Sequence, residues 1–438
     1  MMTLFWLEAR LLLGTRLFQV AAVSFVVLAI FAGWQGGQFA RSQARAIETA
    51  RQLETKTDAE ARAKAAEIRA SNDAVPWWQN PMNVQAWSYA MIRHVALPPK
   101  PLAGVAIADA DLMPFLFRIN PHPPDRWSNQ ANEVTSSLAA MGGLDLTDVM
   151  LTFTPLIVLL AFADLVRERQ GTPRAWLALV QSGAQGPLLM KRLMPRAVMC
   201  LLIVAYTVSI GILTTGPVFT ASTLFGGLAI AFIVLSYACF WLLLLAALIA
   251  FMRNAVATFA AFVGLWFVLG ILAPQGTEAI ARWSAPPPDP LAVFAAERSA
   301  TVAARMNEDD LTRAYAATDP QAAEMLLQAL EEDRLLITPT NLLIQREVER
   351  NRAAEVAEEN QQKTAFYAAV EALGRASPAL LARQSIYRLA GRDRARRRRF
   401  EAQVESYHAA LQEAFVPLLM RRATLDDVLL PEPFAFTE

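Results

Sequence analysis

The sequence predicts an all-α polytopic membrane protein with five transmembrane helices and a large, mainly helical extracytoplasmic domain. Three observations lead there. The 438-residue chain is 55% hydrophobic and 18% charged, whereas a soluble globular domain carries about 25% charge. Its mean hydropathy is +0.29. Asp, Glu, Lys and Arg avoid four stretches, Leu17 to Ala40, Val149 to Ala163, Ala197 to Met252 and Asn254 to Thr277, and crowd the segments between and after them.

Crossing a hydrocarbon layer takes about 20 apolar residues in a helix. The third stretch is about twice that length and holds Thr214, Thr215, Gly216 and Pro217 near its middle, which is turn chemistry between two helices. Five spans follow, near 17–35, 147–166, 197–215, 225–251 and 255–273. Asp145, Asp148 and Asp164 bracket the second closely. Residues 1–40 have a rival reading as a cleaved signal peptide. Against it, the apolar core is long and the segment before it is itself apolar.

Within 1–16, Leu4, Leu7 and Leu11 repeat at helical spacing, with Glu8 and Thr15 on another face. That pattern predicts a helix lying in the membrane interface; the alternative is a plain extension of the first span. Orientation comes from Lys and Arg in short loops. Arg10 and Arg16 precede the first span, Arg167, Arg169, Arg174, Lys191, Arg192 and Arg196 fall in the 167–196 loop, and Arg253 sits in the last turn between spans. These share the cytoplasmic side. Segments 36–146 and 274–438 are then extracytoplasmic.

In the first outer segment, Arg41 to Ala70 is rich in Ala, Glu, Arg and Gln without Pro or Gly, so a long helix should continue from the first span. Proline then punctuates the chain, and loops with short strands are expected from Leu97 to Pro124. Trp77, Trp78, Trp87 and Trp127 fit either an apolar groove or interfacial anchors. In the second outer segment Pro286, Pro287, Pro288 and Pro290 read as a stiff linker. Helices are expected over Pro320–Arg334 with Asp319 as N-cap, Asn341–Leu373, Pro378–Leu389 with Ser377 as N-cap, and from about Asp393 to Arg421. The basic run Arg392, Arg394 and Arg396 to Arg399 should pair with acidic helix faces or lipid phosphates. On an outer surface it is a poor nucleic-acid site.

Several function classes lose their chemistry here. Three histidines (His94, His122, His408) and two cysteines (Cys200, Cys239), the latter inside apolar runs, make no zinc spacing and leave the outer segments without disulfides. None of the five lysines stands in a GxxxxGK[ST] loop, and no serine in a GxSxG setting. No span has an ionisable residue in its middle, as an ion-coupled carrier would need. Any energy for movement should come from a partner chain. A membrane-anchored scaffold for a periplasmic protein, without turnover, is the rival class.

The 167–196 loop reads VRERQGTPRAWLALVQSGAQGPLLMKRLMPR from Val166, with a charged cluster, a Gly171-Thr172 break and a short apolar helix at 175–180. A rigid amphipathic helix there offers a contact for a soluble motor. With the interfacial helix and the large insertion after the first span, this loop resembles the permease subunits of type-2 ABC exporters, among them the nitrous-oxide reductase maturation permease. Glu168, Gly171 and Thr172 match their ExExGT-like signature, while Gln170 and Pro173 depart from it. LPPKPLAGVAIADADLMPFLFRI (Leu97 to Ile119) and the block from Ser377 to Phe415 look like recurring blocks of a subfamily with a large extracytoplasmic domain. The resemblance covers nearly the whole chain.

What it implies is a bacterial inner-membrane permease, N-terminus cytoplasmic, paired with a second, related or identical permease and driven by a dimer of a separate ABC ATPase. ATP and Mg would sit on that partner, with no cofactor on this chain. Arg167, Glu168, Arg169, Gly171, Thr172, Trp176 and Leu177 would form the ATPase-docking surface. The outer domain would face lipid headgroups and a periplasmic protein. Leu430, Pro431, Pro433, Phe434 and Phe436 match an LPxFxF-like segment that, by resemblance, precedes a sixth transmembrane helix, which the residues up to Glu438 do not contain.

Overall fold

The computed structural model describes residues 2–71, 75–76, 79–80, 83–84, 86, 93–107, 114–120, 145–171, 185–216, 218, 220–252, 254–331, 337–420 and 433–437. The chain is mostly helical, with 13 helices among the described residues. Helix α1 (Met2–Gly14) precedes α2 (Arg16–Ser71), whose 56 residues extend about 84 Å at 1.5 Å per residue. The bundle is completed by α3 (Leu146–Gly171), α4 (Gln185–Thr214), α5 (Ala221–Phe251) and α6 (Ala255–Trp266), the last prolonged by a π-helical turn at Phe267–Leu272. Five of these helices are long and apolar enough to span a membrane: α2, α3, α4, α5 and α6 with its π turn. The end of α3 at Gly171, the start of α4 at Gln185, the end of α5 and the start of α6 mark one end of the bundle, called here the loop end.

Apolar solvent gives spans no reason to pack except close contact and satisfied polar groups, and both are visible. Ala29, Gly33 and Gly37 on α2 are spaced by four and share a face with Gly36. A methyl on Gly33 would collide with the Gly211 carbonyl and the Thr214 hydroxyl of α4, and one on Gly37 with the Thr215 carbonyl. Gly36 meets the Gly104 carbonyl of a 3₁₀ turn (Ala103–Val105) laid against the spans. In α3, Pro155 has no N–H for the carbonyl four residues back. That carbonyl, Leu151 O, accepts the Tyr237 hydroxyl of α5 at 3.0 Å. Neighbouring Thr152 O accepts Trp266 Nε1 at 3.2 Å. Thr220 and Thr223 form a reciprocal capping box at the start of α5, and Asn254 caps α6 through Val256 N.

Outside the bundle, α7 (Ala273–Ser284) continues beyond the π turn, followed by α8 (Pro290–Met306), α9 (Glu308–Thr318), α10 (Pro320–Glu331), α11 (Ile337–Gly374), α12 (Pro378–Ala390) and α13 (Arg394–Met420). Strands β1 (Arg93–Ala96) and β2 (Leu116–Ile119) pair antiparallel, Val95 opposite Phe117. A second core, separate from that of the bundle, joins Val95, Phe117, Leu326, Leu342, Phe400 and Phe415. The all-α fold class holds, with this hairpin as the β structure among the described residues.

Several expectations need correction. Helix α3 runs on to Gly171 and α4 starts at Gln185, so both ends of the 167–196 segment are helical. Pro290 does not belong to a linker: it opens α8, with Asp289 Oδ1 accepting from Leu291 N at 3.0 Å. The helices α7, α8 and α9 fill a stretch where none was expected. Finally, α12 belongs to the bundle: Ala379, Ala382 and Ile386 join its core. Trp77, Trp78, Trp87 and Trp127 lie outside the described residues.

Candidate functional site

The loop end of the bundle is built around one carboxylate. Helix α1 leaves Leu7 55% and Leu11 50% exposed, while Glu8, at 3% exposure, is buried on the same helix as Ala9 and the core residue Leu12. This is the arrangement of a helix whose outer surroundings are lipid and whose polar contacts lie within the protein. Glu8 Oε1 accepts from Arg192 Nε at 2.7 Å and Oε2 from Arg196 Nε at 2.9 Å. Arg196 is itself buried at 2% exposure and donates Nη1 to Ala161 O of α3 at 3.2 Å. Thr15, between α1 and α2, donates to Asp164 Oδ2 of α3 at 3.2 Å. One buried ion triad and one hydroxyl thus fasten α1 to both helices that carry the α3–α4 loop. In a low-dielectric site such a triad holds its geometry firmly, since parting any member strands a charge.

The sequence-predicted docking residues are placed as follows. Arg167, Glu168, Arg169 and Gly171 lie on the final turns of α3, at the tip of the element that the triad anchors. Thr172, Trp176 and Leu177, with the 175–180 helix, lie outside the described residues. Sequence reasoning missed the triad, although its signal was present: a glutamate among leucines in α1, and arginines spaced by four at the entry to the third span.

At the opposite end, α12 wedges between α3, α5 and the π turn. A π turn breaks the regular i→i+4 ladder, and such turns concentrate at functional positions. Here Ala273 N bonds to Val268 O, and Leu269 O accepts the Ser377 hydroxyl at 3.1 Å. Ser377 also caps α12 through Leu380 N at 3.4 Å. Six residues on, Arg383 Nη2 donates to Asp148 Oδ1 of α3 at 2.6 Å. Asp145, which caps α3 through Thr147 N at 2.7 Å, accepts Ile107 N at 2.9 Å. All three aspartates that bracket the second span are therefore bonded to other elements.

The basic run after α12 ties this wedge to the outer domain, largely through carbonyls and rings rather than acidic faces. Arg392 bonds Gln43 of α2 at 2.8 Å and lies over the Phe39 ring. Burial and the neighbouring Arg396 lower its pKa to about 10. Arg396 donates to Gly391 O at 3.1 Å and Pro98 O at 2.9 Å, and Arg397 to Pro114 O and Glu401. Beside them, Glu54 of α2 accepts Arg93 Nη1 and the His94 amide, each at 3.1 Å. Burial opposes ionisation of Glu54, but the His94 side chain and amide and the Arg93 guanidinium outweigh it and hold its carboxyl below the ordinary range. Among the described residues no group of three or more His, Cys, Asp or Glu could hold a metal ion.

Residues 291–436 match the family described as a domain of unknown function, DUF3526. The chain is a membrane protein containing DUF3526. No curated protein and no solved structure matches it. The DUF3526 region starts within α8 and takes in the wedge α12, the basic run and the terminal segment, so it includes parts of both cores.

Proposed function

We propose that this chain is the transmembrane permease subunit of an ATP-driven ABC system of the type-2 exporter kind, coupling a separate cytoplasmic ATPase to export or to mechanical work in the periplasm. One observation carries the reading. Glu8 locks the base of both loop-bearing helices to α1, so a push on the α3–α4 loop moves α1, α3 and α4 together. At the other end α12 grips α3 and the π turn, giving that displacement a route into the DUF3526 domain.

On this reading the loop end and the N-terminus are cytoplasmic, the DUF3526 domain is periplasmic and the membrane is the bacterial inner membrane. ATP and Mg bind the partner dimer, hydrolysis happens there, and this chain contributes no catalytic group. A second, related permease completes the core. Arg167, Glu168, Arg169, Gly171, Thr172, Trp176 and Leu177 form the docking surface.

The test is ATP hydrolysis by the permeases and their ATPase reconstituted in proteoliposomes. Replacing Glu168 with Ala should lower permease-stimulated hydrolysis at least about fivefold, a coupling loss of about 1 kcal/mol. Stimulation equal to that of the unaltered protein would refute this docking role.

A further inference from the structure

One cavity, of about 140 Å³, opens in the outer domain where four pieces of chain meet. Its walls are apolar: Ile47 of α2, Ala96 and Pro98 at the end of β1, Leu116 of β2, and Phe434 and Phe436 of the terminal segment. Two polar groups complete the lining, Arg51 and His94. A cavity of this size accommodates a single aromatic ring or a short chain and is too small for a diacyl lipid.

The polar groups decide the ligand chemistry. Glu54 is engaged by Arg93 and the His94 amide, and Asp58 by Arg93 at 2.8 Å. No carboxylate lines the cavity. The Arg51 guanidinium has no acceptor among the described residues and stands on an exposed turn of α2. His94 is 7% exposed, and its Nδ1 stands 3.5 Å from Glu54 Oε2 without a hydrogen bond. What the cavity offers a guest is an apolar slot with a cationic rim.

One wall is formed by Phe434 and Phe436. The terminal segment Pro433–Thr437 is extended and fastened by Gln403, whose side chain donates to Thr437 O at 2.7 Å and accepts Thr437 N at 3.1 Å. Phe434 packs edge-on against Tyr407, and Phe436 lies beneath Arg396 with 5.1 Å from guanidinium to ring centre. A guest in the slot would cover the inner faces of both rings.

We propose that this cavity is a binding site for a small amphipathic anion, an aromatic or short aliphatic group bearing one carboxylate or phosphate. The anion pairs with Arg51, the apolar body lies between Leu116 and the two terminal phenylalanines, and occupancy secures the terminal segment on the domain. The inference does not depend on the ATPase partner.

Titration calorimetry on the purified full chain tests it, with phenylacetate as probe and phenylacetamide as its uncharged counterpart. Saturable phenylacetate binding is expected, weakened about tenfold for the amide and about tenfold in Arg51→Gln, the worth of one charge-assisted hydrogen bond. Ala435→Leu, at the exposed edge of the slot, should lower affinity for both probes. Absence of saturable binding overturns the proposal, as does equal binding of acid and amide. Binding unchanged in Arg51→Gln overturns it too, because that exposed substitution leaves the fold intact.

Discussion

Glu8 shows how much one residue can organise in lipid. Its two carboxylate oxygens serve two arginines on α4, and removing the charge leaves Arg196 buried without its counter-ion. Glu8→Gln should therefore lower stability by about 3 kcal/mol, read as a fall in the detergent-solubilised melting temperature. Gly33→Ala belongs to the same scale: its methyl has no room against Gly211, and forcing the crossing apart should cost about 2 kcal/mol in the same assay. Glu54 adds a pH dependence to the outer domain. Its native pKa lies below the unfolded value, so its stabilisation is fully present above the unfolded value and lost as pH falls through the native one. Melts followed downward through the carboxylate range should show that loss, and Glu54→Gln should flatten it. The sequence made some of this legible. Ala29, Gly33 and Gly37 at intervals of four, a helix-crossing pattern, went unread in an apolar run, whereas the aspartates bracketing the second span were visible as charges. Their partners were not, because Arg383 lies 235 positions from Asp148.

Among elements, α12 departs furthest from expectation. Its start was readable, since Ser377 before Pro378 is a helix entry signature. Its place in the bundle was hidden, because Arg383, Gln384, Ser385 and Arg388 give it the composition of a surface helix. Ala379, Ala382 and Ile386 form the face that enters the bundle core, with Arg383 reaching Asp148 of α3 beside it. The reading of the basic run was met in part, for a related reason: Arg397 pairs with Glu401, while other arginines of the run bond carbonyls and ring faces. Arginine satisfies carbonyls and ring faces as readily as carboxylates, and sequence alone does not say which lie nearby. Separating Ser377→Ala from Arg383→Gln tests the grip of α12. Each should cost about 1 kcal/mol, the latter kept small by partial exposure of the Arg383–Asp148 pair. Both should hasten hydrogen exchange at the amides of 267–273, and exchange unchanged in both variants would mean that α12 does not hold the π turn.

At the scale of the whole molecule, the two cores are joined by the 56-residue helix α2, which reaches the second core at Ala61, and by α12 with its basic successor α13. The five spans were legible because hydrocarbon imposes length and composition together. The outer helices were partly legible, since proline marks a helix start and a linker alike. At the loop end, a partner's motor is proposed to meet the tip of α3. Quantitative mass spectrometry of the full chain captured from its native membrane tests this most directly, unaltered and with Trp176→Ala. The account predicts an ABC ATPase retained at about one copy per permease chain and reduced about tenfold by the substitution. Capture without such an ATPase, or with equal amounts from both proteins, would contradict it.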